Sequence, residues 1–146
     1  MTAFDELIAN AASRFGRENL TSFMESFSSE LAQSGEISLK DKEFVTEFEK
    51  VHTALVRVEE KTRQLEVCAD NAESSDVKDA KERLYDLHCS LDRLQTAALR
   101  NPSLQSFAKK VARHAREKSE KLETLTKEGP DAELDELYEQ FKNLNQ

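Results

Sequence analysis

The chain has 146 residues, a formal net charge of -8 and 34% charged residues. Its length suffices for one domain with a buried core, without disulfide or metal support. Basic residues number 21 against 29 acidic ones, so we expect no extensive binding to nucleic acid, whose phosphates are contacted mainly by Lys and Arg. Only 3 Gly and 2 Pro are present, which favours long helices with short connections.

Residues 3–32 are predicted to be helical and buried. This segment contains four of the eight phenylalanines. Its apolar residues recur at helical spacing, and they are Phe4, Leu7, Ile8, Ala11, Phe15, Leu20, Phe23, Met24, Phe27 and Leu31. The step from Phe15 to Leu20 is five residues long and contains Gly16. The segment is therefore either one helix with a shifted stripe or two short helices joined at Gly16 and Arg17. Burial is favoured over insertion into a bilayer interface, because the segment has few basic residues.

The second helix is predicted over residues 39–71. Ser38 is a candidate N-cap, and Asp41 lies in the first turn. Apolar or small residues then alternate in steps of four and three: Phe44, Phe48, Val51, Leu55, Val58, Thr62, Leu65 and Ala69. This heptad pattern predicts a long helix with one apolar seam that another helix must cover.

The third helix is predicted over residues 75–100, with Ser74 or Ser75 as its cap. It repeats the seam at Val77, Ala80, Leu84, Leu87, Leu91, Leu94 and Ala98. Because its connection to the second helix is short, the two are expected to form an antiparallel hairpin.

The fourth helix is predicted over residues 102–127, with Asn101 as cap and Pro102 at the first helical position. The seam continues through Leu104, Phe107, Ala108, Val111, Ala115, Leu122 and Leu125. Lys118 occupies a position where an apolar residue is expected. Gly129 and Pro130 then predict a stop, and a short last helix follows over residues 131–145.

These elements predict an all-α fold. We expect an elongated antiparallel helical bundle of three long helices, with the N-terminal segment and a short C-terminal helix packed on it. One domain spanning residues 1–146 is the simplest arrangement that buries every apolar stripe.

No catalytic, cofactor or metal site is predicted. The three histidines, His52, His88 and His114, stand on different helices, and the register of the hairpin does not bring them together around a metal. Glu49-x-x-His52 is the one match to a di-iron spacing, and no second helix repeats it. No glycine-rich phosphate loop or activated nucleophile is recognisable. The chain is therefore expected to be non-enzymatic.

The two cysteines, Cys68 and Cys89, lie about 16 Å out of register in the predicted hairpin, at about 1.5 Å per residue, too far for a disulfide. Free thiols favour a cytoplasmic or nuclear location. Asp5 and Glu6 stand where a signal peptide carries basic residues, and no apolar run is long enough to span a membrane.

Two surfaces are candidates for partner binding. The fourth helix carries a basic face: Lys109, Lys110, Arg113, Arg116, Lys118 and Lys121. The acidic C-terminal segment carries Leu134, Leu137 and Phe141, which can dock in the groove of a partner or fold back on that basic face. A basic face can bind an anionic membrane or an acidic helix, although charge runs are most often solvated surface.

These features favour a non-enzymatic scaffold or adaptor subunit that binds proteins through coiled-coil-like surfaces. Its partner is expected to be a helical subunit or a second copy of the chain. The alternative is a membrane-associated helical module that uses the basic face of the fourth helix. An enzyme or carrier with a cavity inside the bundle has little support in the sequence.

Overall fold

The computed structural model describes residues 3–68, 73–126 and 132–144, the last range with side chains from Glu136 onward. Six helices account for nearly all of these residues: α1 (Ala3–Arg14), α2 (Leu20–Gln33), α3 (Leu39–Val67), α4 (Ser74–Ala98), α5 (Pro102–Thr126) and α6 (Ala132–Lys142). No strand occurs in the described ranges. The all-α helical bundle predicted from the sequence is confirmed.

The N-terminal segment is two helices, the second of the two alternatives. Gly16 has a φ of 88°, a left-handed conformation that costs glycine little and ends α1. Asn19 then begins α2, because its side-chain oxygen accepts a hydrogen bond from the Ser22 amide at 2.8 Å. Because of this bend, Phe15, just beyond α1, is buried in the core together with the apolar residues of α2.

Two of the three predicted helix caps in the long helices are confirmed. Ser38 accepts the amide of Asp41 at 3.1 Å, and Asn101 accepts the amide of Ser103 at 2.8 Å. The cap predicted for α4 at Ser74 or Ser75 is wrong, because α4 begins one residue earlier. Glu73 is the N-cap, and its amide donates to the Asp76 carboxylate at 3.0 Å. The predicted stop at Gly129 and Pro130 lies outside the described residues.

The predicted seams form the core. The seam residues of α3 and α4 that are buried are Phe44, Phe48, Val51, Leu55, Val58, Thr62, Leu65, Ala80, Leu84, Leu87, Leu91, Leu94 and Ala98. Val77 is half-buried, and Ala69 lies outside the described residues. The two helices pack antiparallel, and α5 packs against both. Helices of 25 to 29 residues are about 40 Å long at about 1.5 Å per residue.

The buried side of α5 is wider than a heptad seam. Ala112, Ser119 and Glu123 are buried in addition to the predicted positions. Lys118 is half-buried and forms an ion pair with Glu59 on α3 at 3.1 Å. The core position expected at residue 118 is therefore taken by the next residue, Ser119. A small hydroxyl fits there because it donates to backbone or side-chain oxygens inside the bundle.

Six phenylalanine rings join the N-terminal helices to the long ones. Successive rings lie 5.1 to 6.3 Å apart, mostly edge to face, the arrangement that aromatic pairs prefer. The cluster comprises Phe15, Phe23, Phe27, Phe44, Phe48 and Phe107. Because its rings come from α2, α3, α5 and the residue after α1, it fixes the position of α1 and α2 on the bundle.

A buried lysine joins α3 to α4 near the end of the hairpin where α3 ends and α4 begins. Lys61 is only 3% exposed, and its ammonium group donates to Gln64 at 3.2 Å and to Asp76 at 3.0 Å. Asp79 lies 3.1 Å away, so each of the three N–H groups has an acceptor. A hydrogen bond from the Glu73 amide and one from Lys61 lower the pKa of Asp76. For Asp79, burial opposes ionisation, but hydrogen bonds from Lys61 and Arg83 outweigh it and lower the pKa.

Replacing Lys61 with Met keeps the apolar stem and removes the ammonium group. Near neutral pH, we expect Lys61→Met to lower the free energy of unfolding more than Lys78→Met, which changes an exposed lysine. A carboxylate with a depressed folded-state pKa contributes stability above its ordinary pKa, and the contribution disappears as pH falls through the folded-state pKa. The difference between wild type and Lys61→Met should therefore shrink below about pH 4 in urea unfolding. A difference independent of pH would contradict the assignment.

Candidate functional site

The basic face predicted on the fourth helix lies on α5, is here called the α5 basic face, and is largely engaged within the chain. Lys109 donates to the carbonyl of Leu144, just after α6, at 2.8 Å. Lys110 donates to the carbonyl of Ala12, in the last turn of α1, at 2.8 Å. Carbonyl groups at a helix C-terminus lack partners inside the helix and carry partial negative charge, so a lysine stabilises them. The two neighbouring lysines thus fasten the ends of two different helices to α5.

Arg116 of α5 contacts two adjacent residues of α6. Its guanidinium contacts Glu120 at 3.1 Å and Glu139 of α6 at 3.3 Å, and it lies over the ring of Tyr138, 5.8 Å from the centroid. Hydrogen bonds from Arg116 and Lys142 lower the pKa of Glu139. At the other end of α5, Lys121 pairs with Glu66 of α3 at 2.9 Å.

The C-terminal helix folds back on the α5 basic face, which was one of the two arrangements that the sequence left open. Leu137 is 3% and Phe141 2% exposed, so both are buried within the chain. The hydroxyl of Tyr138 lies 2.7 Å from that of Ser119, which also donates to the carbonyl of Ala115. The side chain of Leu134 lies outside the described residues. Partner binding by Leu134, Leu137 and Phe141 stays a prediction.

Four of the seven residues predicted for partner binding meet in one depression between α5 and α6. This depression, here called the α5–α6 cleft, has a volume of about 100 Å³ and is lined by Lys109, Ala112, Arg113, Arg116, Tyr138, Phe141 and Lys142. Lys109, Arg113 and Arg116 share one face of α5, because they are four and three residues apart. Two aromatic side chains and Ala112 form the apolar part, and four cations surround it.

Arg113 is the exposed cation between two depressions. On its other side a shallow groove is lined by Phe15, Gly16, Arg17, Lys110, His114 and Glu117. Arg113 forms no ion pair or hydrogen bond with another side chain or carbonyl in the described part of the chain, unlike Lys109, Lys110 and Arg116. Its guanidinium is therefore available to a ligand.

His114 lies beneath the bend between α1 and α2. Its ring meets that of Phe15 edge to face, with centroids 5.3 Å apart, and its Nε2 has no hydrogen-bond partner among the described residues. Burial and the nearby charge of Lys118 lower the pKa of His114 below the ordinary value of 6.5, and the charges of Glu59 and Glu117 oppose that shift in part. This lowered pKa favours the neutral imidazole in the folded protein.

The three histidines contact different parts of the chain. His52 contacts the carbonyl of Leu20 through Nε2 at 3.0 Å, and His88 stacks on Tyr85 with centroids 6.4 Å apart. Among the described residues, no three His, Cys, Asp or Glu side chains are grouped as metal ligands would be. Cys68 and Cys89 are both free thiols.

A second surface was missed by the sequence analysis. Two depressions of about 600 and 630 Å³ share Arg93 and run along the solvent side of the α3–α4 pair. Only residues of α3, of α4 and of the two positions that follow α4 line them, and we name them together the α3–α4 outer groove. Its small residues are Thr46, Thr53, Ala54, Cys89, Ser90, Thr96 and Ala97.

Charged side chains of both signs border the α3–α4 outer groove. They are Lys40, Glu43, Glu47, Glu49, Lys50, Arg57, Asp86, Asp92, Arg93 and Arg100. Arg57 and Asp86 pair across it at 3.0 Å. The signal in the sequence was a seven-residue spacing of small residues beside the seam, such as Thr46 to Thr53 and Ser90 to Ala97.

No protein-family model, curated protein or solved structure matches this chain. Among the helices in the described ranges, none combines the length and the hydropathy needed to cross a membrane. Function is therefore inferred from the geometry of this chain alone.

Truncating Phe141 tests whether α6 is part of the folded unit. We expect Phe141→Ala to lower the free energy of unfolding by about 3 kcal/mol, because it removes a buried ring and leaves a cavity. The matched control is Gln140→Ala, an exposed neighbour whose effect should stay within about 0.5 kcal/mol. Chemical denaturation measures both. Equal stability of the two variants would show that α6 is not held by Phe141.

Changing His114 tests the effect of its lowered pKa. A histidine with a lower pKa in the folded than in the unfolded state gains its proton more readily after unfolding. Stability is therefore intact above pH 6.5 and falls as pH drops through that value toward the folded-state pKa. We expect His114→Gln to remove part of the decline in unfolding free energy between about pH 7 and about pH 5. The control Gln140→Ala, which changes no titratable group, should leave the decline unchanged.

Proposed function

We propose that the protein is a non-enzymatic helical adaptor that binds a helix of a partner protein in the α3–α4 outer groove. The observation that carries this proposal is that the shorter helices cover only part of the bundle formed by α3, α4 and α5. α1 packs on α5, α2 packs on α3, and α6 packs on α5 and α4, whereas the α3–α4 outer groove is lined by its own two helices and their immediate ends.

The dimensions of the groove suit a helix. From Lys40 to Arg57 it extends over 18 residues of α3, hence about 26 Å at about 1.5 Å per residue. Helices pack at axis separations of about 8 to 10 Å, and small side chains at the contact favour the closer values. Thr53, Ser90 and Ala97 therefore leave room for the side chains of an incoming helix.

The chemistry of the groove defines its partner. A floor of small residues with few large apolar side chains fits a helix with a narrow apolar stripe, since such a stripe is the seam of a coiled coil. Acidic and basic residues both border the groove, so they fit a partner helix that has residues of both charges beside its apolar stripe. Ion pairs between the two sets of residues would determine which helix binds and in which orientation. Leu99, an exposed side chain at one end, supplies an apolar contact.

The membrane-associated alternative has less support. Its basic face would have to be presented to lipid, but Lys109 and Lys110 are bound to carbonyls of the chain. Arg116 and Lys121 are paired with carboxylates. Among the described residues, Arg113 is left as the cation of the predicted set that has no ion pair or carbonyl contact, and stable attachment through charge requires several such residues near one another.

Site-specific photo-crosslinking in native extract tests the adaptor proposal. Benzoylphenylalanine replaces Lys50 in the groove, and as a matched control it replaces Lys121, an exposed lysine of α5. We expect one defined product from position 50, which is absent from position 121. A second substitution in the groove, Thr53→Trp, should reduce the yield at position 50 about tenfold by filling the floor, whereas Lys121→Trp should not.

The crosslinked partner is then identified by mass spectrometry, and a synthetic helix from it is titrated against the purified chain. Saturable binding that Thr53→Trp weakens supports the proposal, and a crosslinked dimer of the chain would identify a second copy as the partner. A product of equal yield from both positions, or a monomeric chain with no product at position 50, would refute it.

A further inference from the structure

We propose that the α5–α6 cleft is a binding site for a phosphate group, carried by a small soluble molecule or by a lipid headgroup. This site is separate from the α3–α4 outer groove and does not depend on the adaptor proposal. Its recognition elements are the guanidinium groups of Arg113 and Arg116 and the ammonium groups of Lys109 and Lys142, which surround one small depression.

The lining of the cleft favours an anion. Among the described residues that line it, four carry a positive charge and none carries a carboxylate. This concentration stands out in a chain whose net charge is -8. The rings of Tyr138 and Phe141 exclude water from one side, and a charge interaction is stronger where water is excluded.

The arrangement of donors favours phosphate over a single carboxylate. A phosphate monoester presents three strong acceptor oxygens and about two negative charges near neutral pH. Arginine binds such a group through two parallel N–H groups, a geometry that lysine does not offer. Arg113 can supply both N–H groups because no described residue occupies them, and Lys109 retains ammonium hydrogens beyond the one given to Leu144.

Glu139 acts as an internal competitor at the border of the cleft. Its carboxylate contacts Arg116 at 3.3 Å and Lys142 at 3.4 Å, so it already occupies one donor of each. An incoming phosphate with more charge can share or take over these donors. Binding should therefore respond in opposite directions to the loss of Arg113 and to the loss of the charge on Glu139.

The test is a titration of the 15N-labelled chain with inorganic phosphate, at constant ionic strength maintained with chloride. We expect saturable shifts of amide signals around the cleft in α5 and α6. Arg113→Gln should weaken binding about tenfold, because a charge-assisted pair is lost. Glu139→Gln should strengthen it about threefold. Lys121→Gln, at the far end of α5, should leave the affinity unchanged.

If Arg113 only stabilised the fold, the variants would not give this pattern of affinities. Unfolding free energy, measured on each variant without phosphate, separates loss of the site from loss of structure, and Glu139→Gln gives the opposite change in affinity. The proposal is overturned by shifts that are spread over all basic residues, by an affinity that Arg113→Gln leaves unchanged, or by weaker binding to Glu139→Gln in a chain that remains folded.

Two further arms distinguish the source of the phosphate. In one, inositol hexakisphosphate is titrated by the same method. In the other, the chain is sedimented with vesicles that carry a phosphoinositide, and with phosphatidylserine vesicles of the same surface charge. Binding to the soluble phosphate alone assigns a soluble ligand, and sedimentation only with phosphoinositide assigns a headgroup. Equal sedimentation with both vesicle types, unaffected by Arg113→Gln, would show general charge attraction and refute the site.

Discussion

The wide buried side of α5 is the constraint on which the rest of the structure depends. A helix in a three-helix core needs only a heptad seam, but α5 also buries Ala112, Ser119 and Glu123. The two neighbouring helices α3 and α4 cannot cover so wide a part of the surface of α5. The chain therefore adds α1 on one side of α5 and α6 on the other. Burying one large side chain, such as Phe107, stabilises the fold by about 1.5 to 3 kcal/mol. The short helices α1 and α6 depend on such burial, because isolated helices of their length are only marginally stable in water.

The same arrangement determines where the charges of the chain are used. Lys109 and Lys110 lie close to the C-terminal ends of α6 and α1, and their ammonium groups donate to carbonyls there. Lys118 and Lys121 pair with carboxylates of α3. A face that has the composition of a membrane-binding surface thus serves mainly to hold the bundle together. Arg113 remains exposed between the covering helices, which is why it is central to the proposed phosphate site.

The helices that cover α5 do not line the α3–α4 outer groove. Both α3 and α4 bury strict heptad seams toward the core, and beyond those seams they carry small residues bordered by charges of both signs. Cross-helix pairs such as Arg57 with Asp86 and Lys61 with Asp76 hold the two helices in register. A rigid pair of long helices with a continuous groove is suited to binding a third helix, and this links the architecture to the proposed adaptor function.

The sequence by itself determined the number of long helices, most of their caps and nearly every residue of the seams, because periodicity and capping are local properties of the chain. It also brought forward Lys109, Arg113, Arg116 and Phe141, which meet in the α5–α6 cleft. Only the tertiary structure decided that α6 covers the α5 basic face and that Ser119 replaces Lys118 at the core position. It also revealed the α3–α4 outer groove. Each of these depends on which residues distant in sequence come into contact, and helical periodicity carries no information about such contacts.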